Sequence, residues 1–256
     1  AQRAAWVSGF YGSGKSHLLK MLCHLWNNTA FRDGVTARGL APDLPKELLA
    51  NLRELDSQGK RSKGGVFAVS GTMPEGSSES ARLTVLGILF RGCGLPSAYN
   101  QARFCLFLRD KGYHDQVAAH VTKAGKDFRR ELVDLYVSPP IRQALIACDP
   151  GIGDDREVRE LLRTQFPNKS DVGTDEFVRL AKEALRLKGG GEIPLTVIVL
   201  DEVQHYIGDS KDRSMGITEL TEALTQEPVA LFLQPRAQNP TGTNMSVARA
   251  AELAAV

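Results

Sequence analysis

Apolar positions along the chain follow two rhythms: short unbroken runs, and longer stretches where leucine returns every third or fourth residue. Residues 4–8, Ala-Ala-Trp-Val-Ser, form the first short run and read as a buried strand. Residues 16–26 read as a helix with Leu18, Leu22 and Leu25 on one face and Leu19 and Trp26 beside them. Residues 46–55 are amphipathic, with Leu48, Leu52 and Leu55 in register, and residues 65–70 form a second strand ended by Gly71 and Pro74. From about residue 80 to 187 the pattern is helical almost throughout, over 82–90, 99–109, 114–122, 127–136, 141–148, 156–166 and 174–187. Pro139-Pro140 stops one helix and starts the next, and Thr174 offers an N-cap with acids in the first turn. Residues 195–200, Leu-Thr-Val-Ile-Val-Leu, are a β-branched run, and residues 229–233 predict a fourth strand. The remainder, 235–256, is rich in Ala, Asn, Thr and Pro, and only 247–256 has the makings of a weak helix.

Composition narrows this only a little. The 256 residues suffice for one large domain or two small ones, and the aliphatic, charged and glycine contents are those of a soluble globular protein. Net charge is +2, from 32 basic and 30 acidic residues, too balanced to argue for nucleic acid or an anionic membrane. The one dense basic knot, Lys60-Arg61-Ser62-Lys63, lies among Gly59, Gly64 and Gly65 and reads as a solvated loop. Cys23, Cys93, Cys105 and Cys148 have no metal-type spacing and read as reduced, mostly buried thiols of a cytoplasmic protein. The five histidines, His17, His24, His114, His120 and His205, make no ligand pattern. No signal peptide or bilayer-spanning run is visible. The chain starts without methionine and enters a strand at once, which predicts a fragment of something longer.

Chemistry enters at residues 9–16, Gly-Phe-Tyr-Gly-Ser-Gly-Lys-Ser, a complete G-x-x-x-x-G-K-[ST] loop between a strand and a helix. That context aims backbone N–H groups at one point, where the helix dipole also favours an anion. Gly9, Gly12 and Gly14 allow the tight backbone path. Lys15 is expected to reach the β- and γ-phosphates and the Ser16 hydroxyl to coordinate Mg²⁺, with Ser13 and His17 completing the nucleotide contacts. The second half lies at Asp201-Glu202, directly after the 195–200 strand. Asp201 is expected to hold Mg²⁺ and Glu202 to deprotonate the attacking water. The nucleotide expected is ATP, with GTP left open.

These motifs predict an α/β fold of the P-loop NTPase type, a parallel sheet with a large helical insertion. The expected domains are 1–78 and 191–234 for the two parts of the nucleotide core, 79–190 for the insertion and 235–256 for an irregular tail. In the P-loop division with a catalytic Glu, an extra strand lies between the two motif-bearing strands. The run at 65–70 falls between them in sequence, which agrees with that division. Gln234, at the end of the fourth run, stands where such ATPases often place a γ-phosphate sensor. No convincing fifth strand follows, so the core reads as incomplete at its C-terminus.

Residues 6–21, Trp-Val-Ser-Gly-Phe-Tyr-Gly-Ser-Gly-Lys-Ser-His-Leu-Leu-Lys-Met, are more specific than the bare loop. With residues 199–209, Val-Leu-Asp-Glu-Val-Gln-His-Tyr-Ile-Gly-Asp, the chain resembles the large P-loop ATPases of bacterial BREX phage-defence systems, the BrxC/PglY family. Leu135-Tyr-Val-Ser-Pro139 is similar to that family too, and the resemblance covers roughly residues 5–225. It implies an AAA-like ATPase module at the N-terminal end of a much longer chain, working with other defence-complex proteins. Gly9, Gly12, Gly14, Lys15 and Ser16 match its phosphate loop, and Asp201 and Glu202 its second motif. Leu233-Gln234-Pro235 departs from the Thr-Gly-Gln type of turn the resemblance leads one to expect, as a truncated or frame-shifted copy would. A homo-oligomer, and DNA reached only through the full-length protein or complex, stay open as partners; no membrane is expected. Arg213 and Arg236 are candidates for a trans-acting arginine by position alone. Two other readings stay beside Mg²⁺-dependent ATP hydrolysis: an ATP-dependent switch or scaffold with little turnover, and an inactive remnant.

Overall fold

In chain order the elements are strand β1 (Ala4–Trp6), helices α1 (Lys15–Asn27) and α2 (Lys46–Arg61), strand β2 (Val66–Thr72) and helix α3 (Ala81–Gly92). Helices α4 (Tyr99–Asp110), α5 (His114–Lys123), α6 (Phe128–Glu131), α7 (Pro139–Cys148), α8 (Asp155–Gln165) and α9 (Thr174–Lys188) follow. Strand β3 (Leu195–Asp201), helices α10 (Val203–Ile207) and α11 (Lys211–Thr225) and strand β4 (Val229–Leu233) complete them. The computed structural model describes residues 4–7, 13–225 and 229–233.

All four strands run parallel in the order β1-β4-β3-β2, so the fold is α/β. Val66 to Thr72 pair one for one with Leu195 to Asp201, which sets Thr72 opposite Asp201. The strand between β1 and β3 is β4, and β2 lies on the far side of β3. The run at 65–70 is therefore not the intervening strand. Sequence order carries no lateral order here, because each parallel connection must cross a face of the sheet.

Alternation along the strands sorts the helices onto two faces. Ala68, Val197 and Val199 pack with Leu19 and Cys23 of α1. On the other face Ile198 meets Leu89 of α3, Ala181 and Leu185 of α9, and Ala223 and Leu224 of α11. Helix α3 comes so close that a Cβ on Gly71 would stand 2.5 Å from Ile88, and one on Gly92 would stand 2.6 Å from Val69. Of the face expected for α1, Leu25 is buried and Leu22 half-buried, but Leu18 is 56% exposed, and the contact with the sheet is made by Leu19 and Cys23.

The basic knot is also placed differently. Lys60 and Arg61 close the last turn of α2, where the dipole favours cations, and Arg61 reaches Glu54 at 2.7 Å. The helix expected over 127–136 stops at Glu131. Beyond it the N–H groups of Val133, Asp134 and Val137 bond three residues back, a tighter winding that buries Leu132 and Leu135 and delivers Ser138 as the cap of α7. Residues 203–225, to which the sequence pattern assigns no element, form α10 and α11.

The chain divides into two compact units, Gly94–Ser170 and the segments on either side of it. The first holds α4 to α8; α3 and α9 belong with the sheet, so the helical unit is narrower than the 79–190 expected. No helix among the described residues is long and apolar enough to cross a membrane.

Candidate functional site

Helix α1 begins at Gly14, whose φ of 83° is a left-handed conformation open to glycine at little cost. Gly14 offers no side-chain cap, and the first turn carries no acid to offset the positive end of the dipole. Ser13, Gly14 and His17 are exposed, while Lys15 and Ser16 are half-buried.

Three anchors fix where this helix start points. Asn27 clamps one residue of β2, its Nδ2 donating to Ala68 O at 2.9 Å and its Oδ1 accepting from Ala68 N at 2.6 Å. Trp26 Nε1 donates to Leu195 O at 3.2 Å, at the start of β3. One turn earlier, Cys23 bonds Ser70; burial raises its thiol pKa and the Ser70 hydrogen bond lowers it in part. Four helical residues rise about 6 Å and two strand residues about 6.6 Å, so each turn back along α1 moves two residues forward along β2. From Asn27 at Ala68 and Cys23 at Ser70, the progression brings Leu19 level with Thr72, the partner of Asp201. Continued in the same direction, the progression points the start of α1 toward the C-terminal end of the sheet.

Arg38 holds the other end of α1. Its Nε donates to Leu25 O at 2.8 Å and its Nη2 to Trp26 O at 3.1 Å, while the guanidinium also pairs with Asp56 of α2. The orphan carbonyls at the helix C-terminus are thereby satisfied.

At the sheet edge, Asp201 O accepts from Met73 N at 2.9 Å and Asp201 Oδ1 accepts from Glu202 N at 3.0 Å. Glu202 then turns left-handed, with φ 59° and ψ 27°. For a side chain of this size that conformation costs about 1–2 kcal/mol and needs support from its surroundings. Support comes from α10, where His205 N and Tyr206 N both donate to Glu202 O, at 3.0 and 3.2 Å. The Glu202 carboxylate is engaged as well. Gln204 Nε2 donates to its Oε2 at 2.9 Å, and His205 Nε2 stands 3.2 Å from the same oxygen. Gln204 Oε1 is buried with no partner, an arrangement that costs about 1–3 kcal/mol. Strain and an unmet acceptor therefore both fall between 202 and 204.

Of the residues singled out by sequence, Ser13, Gly14, Lys15, Ser16 and His17 lie at the start of α1, and Asp201 and Glu202 at the C-terminal end of β3. Gly9, Gly12, Gln234 and Arg236 lie outside the described residues. Arg213 is committed elsewhere: Nη1 donates to Tyr206 O at 2.8 Å, Nη2 to Ser77 O at 3.1 Å, and the guanidinium lies 5.2 Å from the Tyr206 ring centre. That role is structural, and Arg213 is not poised to act on a neighbouring molecule. Thr72, Met73, Gln204 and His205 were missed in the sequence; only the closeness of Gln204 and His205 to Asp201-Glu202 hinted at them.

Among the described residues no group of three His, Cys, Asp or Glu side chains could hold a metal alone. A Mg²⁺ ion needs no such group when one carboxylate, one hydroxyl and phosphate oxygens share it. Ser16 and Asp201 are of the residue types in that donor set. Comparison with protein-family models, curated proteins and solved structures found no match for this chain.

Proposed function

We propose that the chain binds Mg²⁺-ATP and hydrolyses it, as a P-loop ATPase module. What supports this reading is a helix, α1, that starts directly after a glycine-rich sequence, and an Asp201-Glu202 pair at the C-terminal end of a parallel strand. The strand order supports it too, since β4 separates β1 from β3 as P-loop proteins with a catalytic Glu require. In this reading the α1 N–H groups and Lys15 take the phosphates, and Ser16 and Asp201 hold Mg²⁺. The ion neutralises developing charge on the phosphates. Glu202 accepts the proton of the attacking water. The wider role, in a phage-defence complex with other proteins, rests on the resemblance of residues 6–21 and 199–209 to the BREX ATPases.

Thermal unfolding with and without Mg²⁺-ATP tests the site, with Lys15→Ala as control. A ligand that binds only the folded state raises the midpoint by mass action. The parent midpoint is expected to rise and that of Lys15→Ala to stay put; a parent that unfolds cooperatively without a shift ends the nucleotide reading. Phosphate release then separates an ATPase from a switch that binds and scarcely turns over. For the wider role, Lys15→Ala placed in an otherwise intact defence system is expected to abolish protection against phage.

A further inference from the structure

Glu202 is gripped by the two polar side chains that follow it, and only one of its oxygens is used. We propose that Gln204 and His205 are positioning residues for Glu202, binding Oε2 so that Oε1 is presented to the attacking water. This rests on the hydrolysis reading above and adds to it the groups that aim the base.

Four observations converge. Both side chains meet the same oxygen, Gln204 Nε2 donating to it at 2.9 Å and His205 Nε2 standing 3.2 Å from it, and neither contact involves Oε1. The Gln204 amide can face only one way, because a flip would set its oxygen 2.9 Å from a carboxylate oxygen. Its Oε1 is accordingly left buried without a donor. The platform carrying both side chains is rigid: Val203 and Tyr206 of α10 are buried, and Arg213 ties Tyr206 O to Ser77 O. Lastly, the left-handed backbone of Glu202 is what folds α10 back beneath its own carboxylate. An extended residue there would carry Gln204 and His205 away from it. A base held this way enters the reaction already oriented, which is worth about tenfold to a hundredfold in rate when it is lost.

The test is steady-state phosphate release by the whole chain across a range of Mg²⁺-ATP concentrations. Gln204→Ala and His205→Ala are each expected to lower kcat about tenfold or more with KM unchanged. His205→Gln, which keeps a donor, is expected to recover most of the rate, whereas His205→Phe is not. In a Glu202→Gln background the same alanine changes are expected to have no further effect, because their only route to the reaction is gone. A merely structural role predicts additive losses and a raised KM. A parent that turns over while both alanine variants match it overturns the proposal, as do losses of equal size in the two backgrounds. A parent that shifts in thermal unfolding with Mg²⁺-ATP but releases no phosphate overturns the hydrolysis reading itself, and this proposal with it.

Discussion

Polar side chains are largely paired both inside the helical unit and at the end of β3, but at the end of β3 they are paired around a left-handed residue. In the helical unit Ser138, 2% exposed, donates to Glu131 at 2.6 Å and accepts from Ile141 N. Asn100 Nδ2 donates to the Tyr136 hydroxyl, which in turn donates to Phe166 O. Asp154 and Glu157 form a reciprocal capping box at the start of α8. Arg142 leaves Nη1 unpartnered, but its Nε is bound to Asp155, so the guanidinium is only partly unsatisfied. At the sheet edge, Glu202 sits left-handed and the one acceptor of Gln204 is unmet. A closed network specifies a fold. Strain beside an unmet acceptor at a strand end is what the proposed reaction would account for.

The sharpest way to break this contrast is Glu202→Gln, which keeps the shape and removes the base. Phosphate release is expected to fall about 10²–10⁴-fold while the Mg²⁺-ATP thermal shift persists. Unchanged turnover would strip the edge of its chemical meaning and leave its strain unexplained.

In the helical unit the corresponding change should act on stability alone. Phe104 is fully buried and meets Phe166 edge-on with ring centres 5.4 Å apart. Phe104→Ala is expected to cost about 3–5 kcal/mol in denaturant unfolding. Turnover per folded molecule should match the parent.

Buried thiols probe a property the two regions share. Burial pushes Cys93, in the sheet unit, and Cys105, in the helical unit, up to about 12 from an ordinary 9.0. The unfolded chain loses these protons near pH 9 while the folded chain keeps them. Their contribution is therefore complete below about pH 9 and lost as pH rises towards 12. Denaturant midpoints should fall across that window in the parent and fall less in Cys93→Ala and in Cys105→Ala. At neutral pH neither thiol should react with iodoacetamide until the chain unfolds.

Much of the molecule was legible beforehand, and what was not has identifiable physical causes. Dense apolar runs marked all four strands, with β4 at its observed bounds; in β3, burial on both faces leaves little freedom of composition. The face of α1 was legible only in part: Leu25 is buried, but Leu19 and Cys23, not Leu18, make the contact with the sheet. The position of β4 between β1 and β3 escaped because lateral order in a parallel sheet is set by crossovers, not by sequence order. Asp201 and Glu202 were legible as a pair, but the side chains around Glu202 were not. Gln204 and His205 reach it only because Glu202 adopts a conformation that no residue pattern at 201–205 announces.

That conformation allows a final comparison of opposite signs. Glycine at 202 relieves the left-handed strain, offset in part by the freedom glycine gains in the unfolded chain. Glu202→Gly is thus expected to stabilise the protein by about 0.5–1 kcal/mol. It should do so while abolishing phosphate release. In the helical unit, Asp154→Ala removes the acceptor that caps α8 at Arg156 N and Glu157 N, both at 2.9 Å. It is expected to destabilise by about 1 kcal/mol. Turnover should be untouched. If Glu202→Gly destabilises as Asp154→Ala does, the contacts from Gln204 and His205 outweigh the backbone strain, and the edge is a closed network like the other. If it stabilises while activity disappears, the chain keeps a less stable backbone at the one residue whose carboxylate the reaction needs.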